Sequence, residues 1–200
     1  SSTSRGLGDV YKRQNIPSII EANTQYHKTF SQSELGSQPT RGLSILTCMD
    51  CRMDPYKFAG LQDGEAHIIR NAGGRATEDA IRSLIVSHKF LGTTDWCVIH
   101  HTGCGMSTVT DDVIGDLLAQ DLETAVSEDG AWVNPPRETT ENTKPGSDVA
   151  KSMKWYTFTD LEQSVLTDIQ LIKDHPLVPS NISIYGFIFD IETGALTPVS

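Results

Sequence analysis

Apolar and polar positions change period several times along this chain. Ile16, Ile19, Ile20, Tyr26 and Phe30 recur at helical spacing among polar residues, and Pro17 falls where a first helical turn tolerates it. Residues 16–30 therefore predict an amphipathic helix, followed by a polar loop over 31–41. The run 43–48 (LSILTC) is short, apolar and bounded by Gly42 and a charged stretch, as a buried strand should be. Similar runs at 66–70, 96–100 and 182–189 predict three more strands, and a turn at 190–194 leads into a last short one at 196–199. Between them, 77–90, 108–126 and 159–173 place apolar residues at helical spacing; Thr77 is a plausible cap and Gly115 weakens the middle helix. Residues 128–147, rich in Pro, Gly, Asn and Thr, read as a surface insertion. Strands alternating with helices predict an α/β fold: a central, mostly parallel sheet flanked by helices on both faces, with a C-terminal antiparallel edge strand.

Composition narrows the function. With 200 residues, 38% hydrophobic and 21% charged, the chain matches one globular domain, assigned to 15–200. Residues 1–14 (SSTSRGLGDVYKRQ) lack a hydrophobic period and are set apart as a non-native or disordered leader. A formal charge of -10 opposes binding to nucleic acid or an anionic membrane, because both surfaces repel an acidic protein. Four cysteines are too few for a disulfide framework in this length, which points to a reducing, cytoplasmic setting.

Three of the polar groups have the makings of a site. Cys48, Asp50 and Arg52 follow one another at i, i+2 and i+4, so they share a face if the backbone stays extended past the first strand. The third strand runs into His100-His101-Thr102-Gly103-Cys104-Gly105. If these two strands are neighbours, Cys48 meets His101 and Cys104 at the carboxyl ends of the strands, where open α/β sheets build their sites. Two thiolates and one imidazole suit zinc and leave a fourth position open, the mark of a catalytic site. The rival is a closed structural site in which Cys51 supplies a fourth ligand; it requires a turn between Cys48 and Cys51 and leaves Asp50 and Arg52 without a role. Gly73 and Gly74 are expected to let backbone amides approach the site. Alternation should turn His100 to the opposite face, Cys97 reads as a core residue, and His67, His88 and His175 read as structural or surface histidines. Asp79 with Arg82 reads as a surface pair, and Glu138 with Glu141 as a solvated face.

The segments Cys48-Met49-Asp50-Cys51-Arg52, Arg70-Asn71-Ala72-Gly73-Gly74 and His101-Thr102-Gly103-Cys104-Gly105 resemble, in order and spacing, the three signature segments of β-class carbonic anhydrases. The C-terminal stretch from Tyr185 to Gly194 is similar to that family's last strand and turn. The resemblance implies one zinc ion per chain on Cys48, His101 and Cys104, an Asp50/Arg52 catalytic dyad, and reversible hydration of carbon dioxide to bicarbonate by zinc-bound hydroxide. It also implies a homodimer or larger homo-oligomer in which the N-terminal helix packs over the partner. Some members of this family hydrolyse carbonyl sulfide or carbon disulfide with the same ligands, and a non-enzymatic structural-zinc protein is the remaining alternative.

Overall fold

In the computed structural model, which describes residues 3–136 and 145–200 with side chains from Gln14 onward, every predicted strand forms. Glu138 and Glu141 lie outside the described residues. The chain divides into two units, Ser1–Gly36 and Ser37–Ser200. The first is helix α1, Thr3–Thr29. Helical backbone thus begins inside the segment set apart by composition, and Pro17 is interior to the helix instead of in its first turn. An interior proline removes one i→i−4 donor. Ile16, Ile19, Ile20 and Tyr26 are exposed along α1, as is Phe30 just beyond it, where its ring lies 5.7 Å from that of Tyr26.

The second unit contains β1 Leu43–Cys48, α2 Pro55–Phe58, β2 Ala66–Asn71, α3 Glu78–Leu91, β3 Asp95–His101, α4 Asp111–Gln120, β4 Val126–Glu128, β5 Ala131–Val133, α5 Val149–Ser152, α6 Leu161–Lys173, β6 Ser183–Phe189 and β7 Leu196–Val199. The five-stranded sheet has the order β2-β1-β3-β6-β7, parallel throughout except for the antiparallel edge pair β6 and β7. β1 and β3 are direct neighbours, with Thr47 opposite Ile99, and this adjacency brings the two candidate ligand segments to the same sheet end.

Alternation along the strands sorts side chains into two cores. On one face Leu46, Trp96 and Val98 pack with Ala80, Ile81 and Leu84 of α3 and with Val165, Ile169 and Ile172 of α6. On the other, Ile45, Ile99 and Phe189 pack with Met53, Leu61 and Phe158 from loops and with Phe58 of α2. Within this unit, then, both long helices lie on one face, and α2 with the loops covers the other. α2 has only four residues, so loops seal what a full crossover helix would otherwise cover.

Two further boundaries differ. α4 begins at Asp111, not Thr108, because Thr110 accepts the Val113 amide as an N-cap and Asp111 and Asp112 favour the positive helix terminus. It ends at Gln120, because the Asp121 backbone is extended. The insertion is not all irregular: β4 and β5 form a hairpin turning at Asp129 (φ 50°) and Gly130 (φ 81°), the left-handed pair a tight turn demands.

Candidate metal centre

The site grows from the end of β1. After Cys48 the chain does not stay extended; it turns, with the Met53 amide donating to the Asp50 carbonyl. Asp50 and Arg52 meet through this turn, not through a shared strand face. Asp50 Oδ1 accepts both the Arg52 amide and Arg52 Nε at 2.9 Å, and Oδ2 accepts Arg52 Nη2 at 2.6 Å. Arg52 Nη2 also reaches the Gly103 carbonyl at 3.2 Å, tying this turn to the loop after β3. Arg70 on β2 clamps the same turn from the other side, donating to the carbonyls of Cys48 (2.8 Å) and Asp50 (2.6 Å).

Ligand atoms of Cys48, His101 and Cys104 lie within 4.8 Å of one another, and all three residues are buried. His101 donates from Nδ1 to the Thr102 carbonyl at 2.8 Å, which fixes the tautomer and leaves the Nε2 lone pair facing inward. That Nε2 is buried and has no hydrogen-bond partner among the described residues. An orphaned, inward-facing imidazole nitrogen beside two sulfurs is the donor set a borderline-soft divalent cation satisfies, so the residues fit a metal ion. Asp50 Oδ2 stands 3.8 Å from Nε2. Cys51 is exposed and lies outside the cluster, so the closed site of three cysteines and one histidine does not form.

Charge in the cluster is uneven. A hydrogen bond from the Cys104 thiol holds the Cys48 thiol down to about 4 against the cost of burial. The same hydrogen bond, together with burial, pushes Cys104 up. The Arg52 guanidinium holds the Asp50 carboxyl well below the usual carboxylate range, so Asp50 is an anion and an acceptor.

Gly73 and Gly74 form the short turn after β2, held by Asn71, whose side chain accepts the Arg75 amide (2.7 Å) and donates to the Arg75 carbonyl (2.8 Å). Gly74 has φ +68°, and a Cβ there would stand 2.8 Å from the Cys48 nitrogen. At Gly74, then, the turn runs against β1 more closely than a side chain would allow. His100 faces away from the cluster, as alternation requires. Its Nδ1 meets Ser164 Oγ at 2.7 Å and its Nε2 the Gly74 carbonyl at 3.1 Å. His67, His88 and His175 bond Ser87, the Thr93 carbonyl and the Leu177 amide. Cys97 packs in the second core, where burial raises its thiol to about 11, and Asp79 pairs with Arg82 on the surface of α3.

Comparison with known proteins agrees with this geometry. A family described as carbonic anhydrase matches residues 43–196, which include all three signature segments. The chain belongs to the β-carbonic anhydrase family. It is 35% identical over 178 residues to beta-carbonic anhydrase 1 of Mycobacterium tuberculosis, covering 89% of this chain and 93% of the relative. It is 31% identical over 182 residues to a carbon disulfide hydrolase of Acidithiobacillus thiooxidans, covering 90% and 88%. Among solved structures, a carbonic anhydrase from Streptococcus mutans superposes with a TM-score of 0.76 at 36% identity, covering 92% of this chain and 97% of that one. Among the described residues, no helix is long and apolar enough to cross a membrane.

Arg75 and Asp168 did not emerge from the sequence. They form a buried bidentate ion pair at 2.8 and 2.9 Å beneath the glycine turn. A signal was available: Asp168 shares the apolar stripe of α6 with Val165, Ile169 and Ile172, and a charge on such a stripe requires a buried partner.

Proposed function

We propose that this chain hydrates carbon dioxide reversibly to bicarbonate, holding one zinc ion on Cys48, His101 and Cys104, with Asp50 and Arg52 acting beside it. The observation that carries the reading is the buried Cys-His-Cys cluster with an ionised carboxylate 3.8 Å from its imidazole nitrogen. A zinc ion with an open position supplies a water acidified toward neutrality. Two thiolates neutralise much of the cation's charge, so the protein must contribute more of the activation than three imidazoles would require. Asp50 contributes by accepting a hydrogen bond from the attacking water, which orients that oxygen's lone pair toward the substrate carbon. Arg52 occupies both carboxylate oxygens, keeping Asp50 ionised and restraining it from ligating the metal itself.

A second reading, hydrolysis of carbon disulfide or carbonyl sulfide at the same centre, is favoured by the carbon disulfide hydrolases among the relatives at 31–32% identity. Both substrates are linear triatomics attacked at carbon, so the width and apolarity of the approach decide between them. The experiment is stopped-flow carbon dioxide hydration beside sulfide release from both sulfur compounds, on one zinc-quantified preparation. Fast hydration with slow sulfide release is expected, and Asp50→Asn should lower hydration by about 10²-fold or more with zinc retained. Silence toward all three substrates at full zinc content would overturn both readings.

The exposed stripe of α1 supports a homodimer in which that face is covered by a second copy. Light scattering at micromolar concentration should report at least a dimer, and a clean monomer would exclude it. Four free cysteines, three of them at least half-buried and unpaired, agree with a reducing cytoplasmic location.

A further inference from the structure

The Asp168 carboxylate, 1% exposed, accepts three hydrogen bonds, from Arg75 Nε (2.8 Å), Arg75 Nη2 (2.9 Å) and the Ala76 amide (3.0 Å), and His100 Nε2 stands 3.3 Å from it. Arg75 spends its remaining nitrogen on the Tyr156 carbonyl at 2.6 Å. Stability alone is a poor reason for such a pair, because desolvating two ions offsets most of their attraction and apolar replacements of similar volume are often as stable.

The partners of Asp168 share another property: each is next to a group that touches the metal cluster. Arg75 and Ala76 follow directly on Gly73 and Gly74, and a Cβ at Gly74 would stand 2.8 Å from the Cys48 nitrogen. His100 precedes His101 on β3 and hydrogen-bonds the Gly74 carbonyl. Asp168 itself is not part of the cluster. We propose that Asp168 is a positioning residue of the metal centre: through Arg75 and His100 it fixes both the glycine turn that packs against the Cys48 backbone and the strand end that carries His101. Groups that orient metal ligands in this way typically alter metal affinity about 10–100-fold when removed.

This inference rests on the zinc reading above, so the parent protein is tested first: failure to bind one zinc tightly would end that reading before any variant is compared. The informative variants are Arg75→Lys, which keeps a buried cation but loses the two-pronged bond, and the double variant Arg75→Met/Asp168→Leu, which removes both charges. Zinc affinity is measured by competition with a chromophoric chelator, and the ligand field by the thiolate-to-metal and d–d bands of the cobalt-substituted protein. Urea unfolding of the metal-free forms reports stability separately. The expected result is a zinc dissociation constant raised about 10–100-fold in both variants, with shifted cobalt bands and, in the double variant, a urea midpoint near that of the parent. Parental zinc affinity and cobalt bands in Arg75→Lys, whatever its midpoint, would overturn the proposal and leave the pair a packing feature. If the double variant does not fold, Arg75→Lys alone decides.

Discussion

Replacing Gly74 by alanine tests how tightly the glycine turn is wedged between the two ligand-bearing strands. At φ +68° an alanine pays about 1–2 kcal/mol for a left-handed backbone. Its Cβ would also stand 2.8 Å from the Cys48 nitrogen, 2.9 Å from the Thr47 carbonyl carbon and 3.2 Å from the Ile99 oxygen. All three are backbone atoms of β1 and β3, so no side chain can swing aside, and overpacking adds about 1–3 kcal/mol. The sum is roughly 2–5 kcal/mol. Gly92, the left-handed C-cap of α3, is the control: its φ is +75° and an added Cβ meets nothing within 4 Å, so alanine there pays the conformational cost alone. Gly73 falls between, since its Cβ would meet only the flexible side chains of Arg75 (3.1 Å) and Met106 (3.3 Å). Urea unfolding of metal-free protein, at one fixed protein concentration, should rank the losses Gly92→Ala, Gly73→Ala, Gly74→Ala in increasing order. If Gly74→Ala matches Gly92→Ala within about 0.5 kcal/mol, the backbone contact is not a constraint and the reasoning fails.

Cys51→Ser should retain full zinc after gel filtration, whereas Cys104→Ser should lose it, both read by elemental analysis; the reverse would restore a structural site built on Cys51. Leu84→Ala, at a fully buried position between α3 and the sheet, should cost about 2–5 kcal/mol in the same urea assay. Burial works against ionisation of Asp111, but the Thr157 hydroxyl and the amides of Thr157 and Trp155 outweigh it and hold the carboxyl below its usual range. A carboxyl depressed in the folded state stabilises it above the unfolded value near about 3.9, and that contribution disappears as pH falls through the folded value. The gap in urea midpoint between the parent and Asp111→Asn should therefore be open at pH 6 and close toward pH 3; a gap that stays constant would refute the assignment.

The strands were legible because each is buried and bounded by polar breaks, and Thr77 and Gly92 mark the ends of α3 as capping chemistry says they should. The convergence of Cys48, His101 and Cys104 was legible only conditionally. It depends on β1 lying beside β3, and hydrophobic period carries no information about strand order. The turn that joins Asp50 to Arg52 arises from a side chain accepting an amide two residues on, a local competition with the strand that alternation does not reveal. The Asp129-Gly130 hairpin was hidden because its strands have three residues each and lie largely exposed, too short for a period-2 pattern to stand out. That α3 and α6 share one face is a matter of connection geometry, which spacing within each helix leaves undetermined.

The adjacency of β1 and β3 has a consequence for how the chain reaches its native state. Their pairing is parallel, so no hairpin can form it, and the chain that connects them includes α2, β2 and α3. Contacts of such long range form slowly, and no local fragment contains a complete ligand set. A metal ion that binds the three ligands therefore stabilises only chains whose sheet has assembled in the right order, by an amount set by its concentration and affinity. The metal content of a refolded preparation should thus serve as a count of correctly threaded molecules.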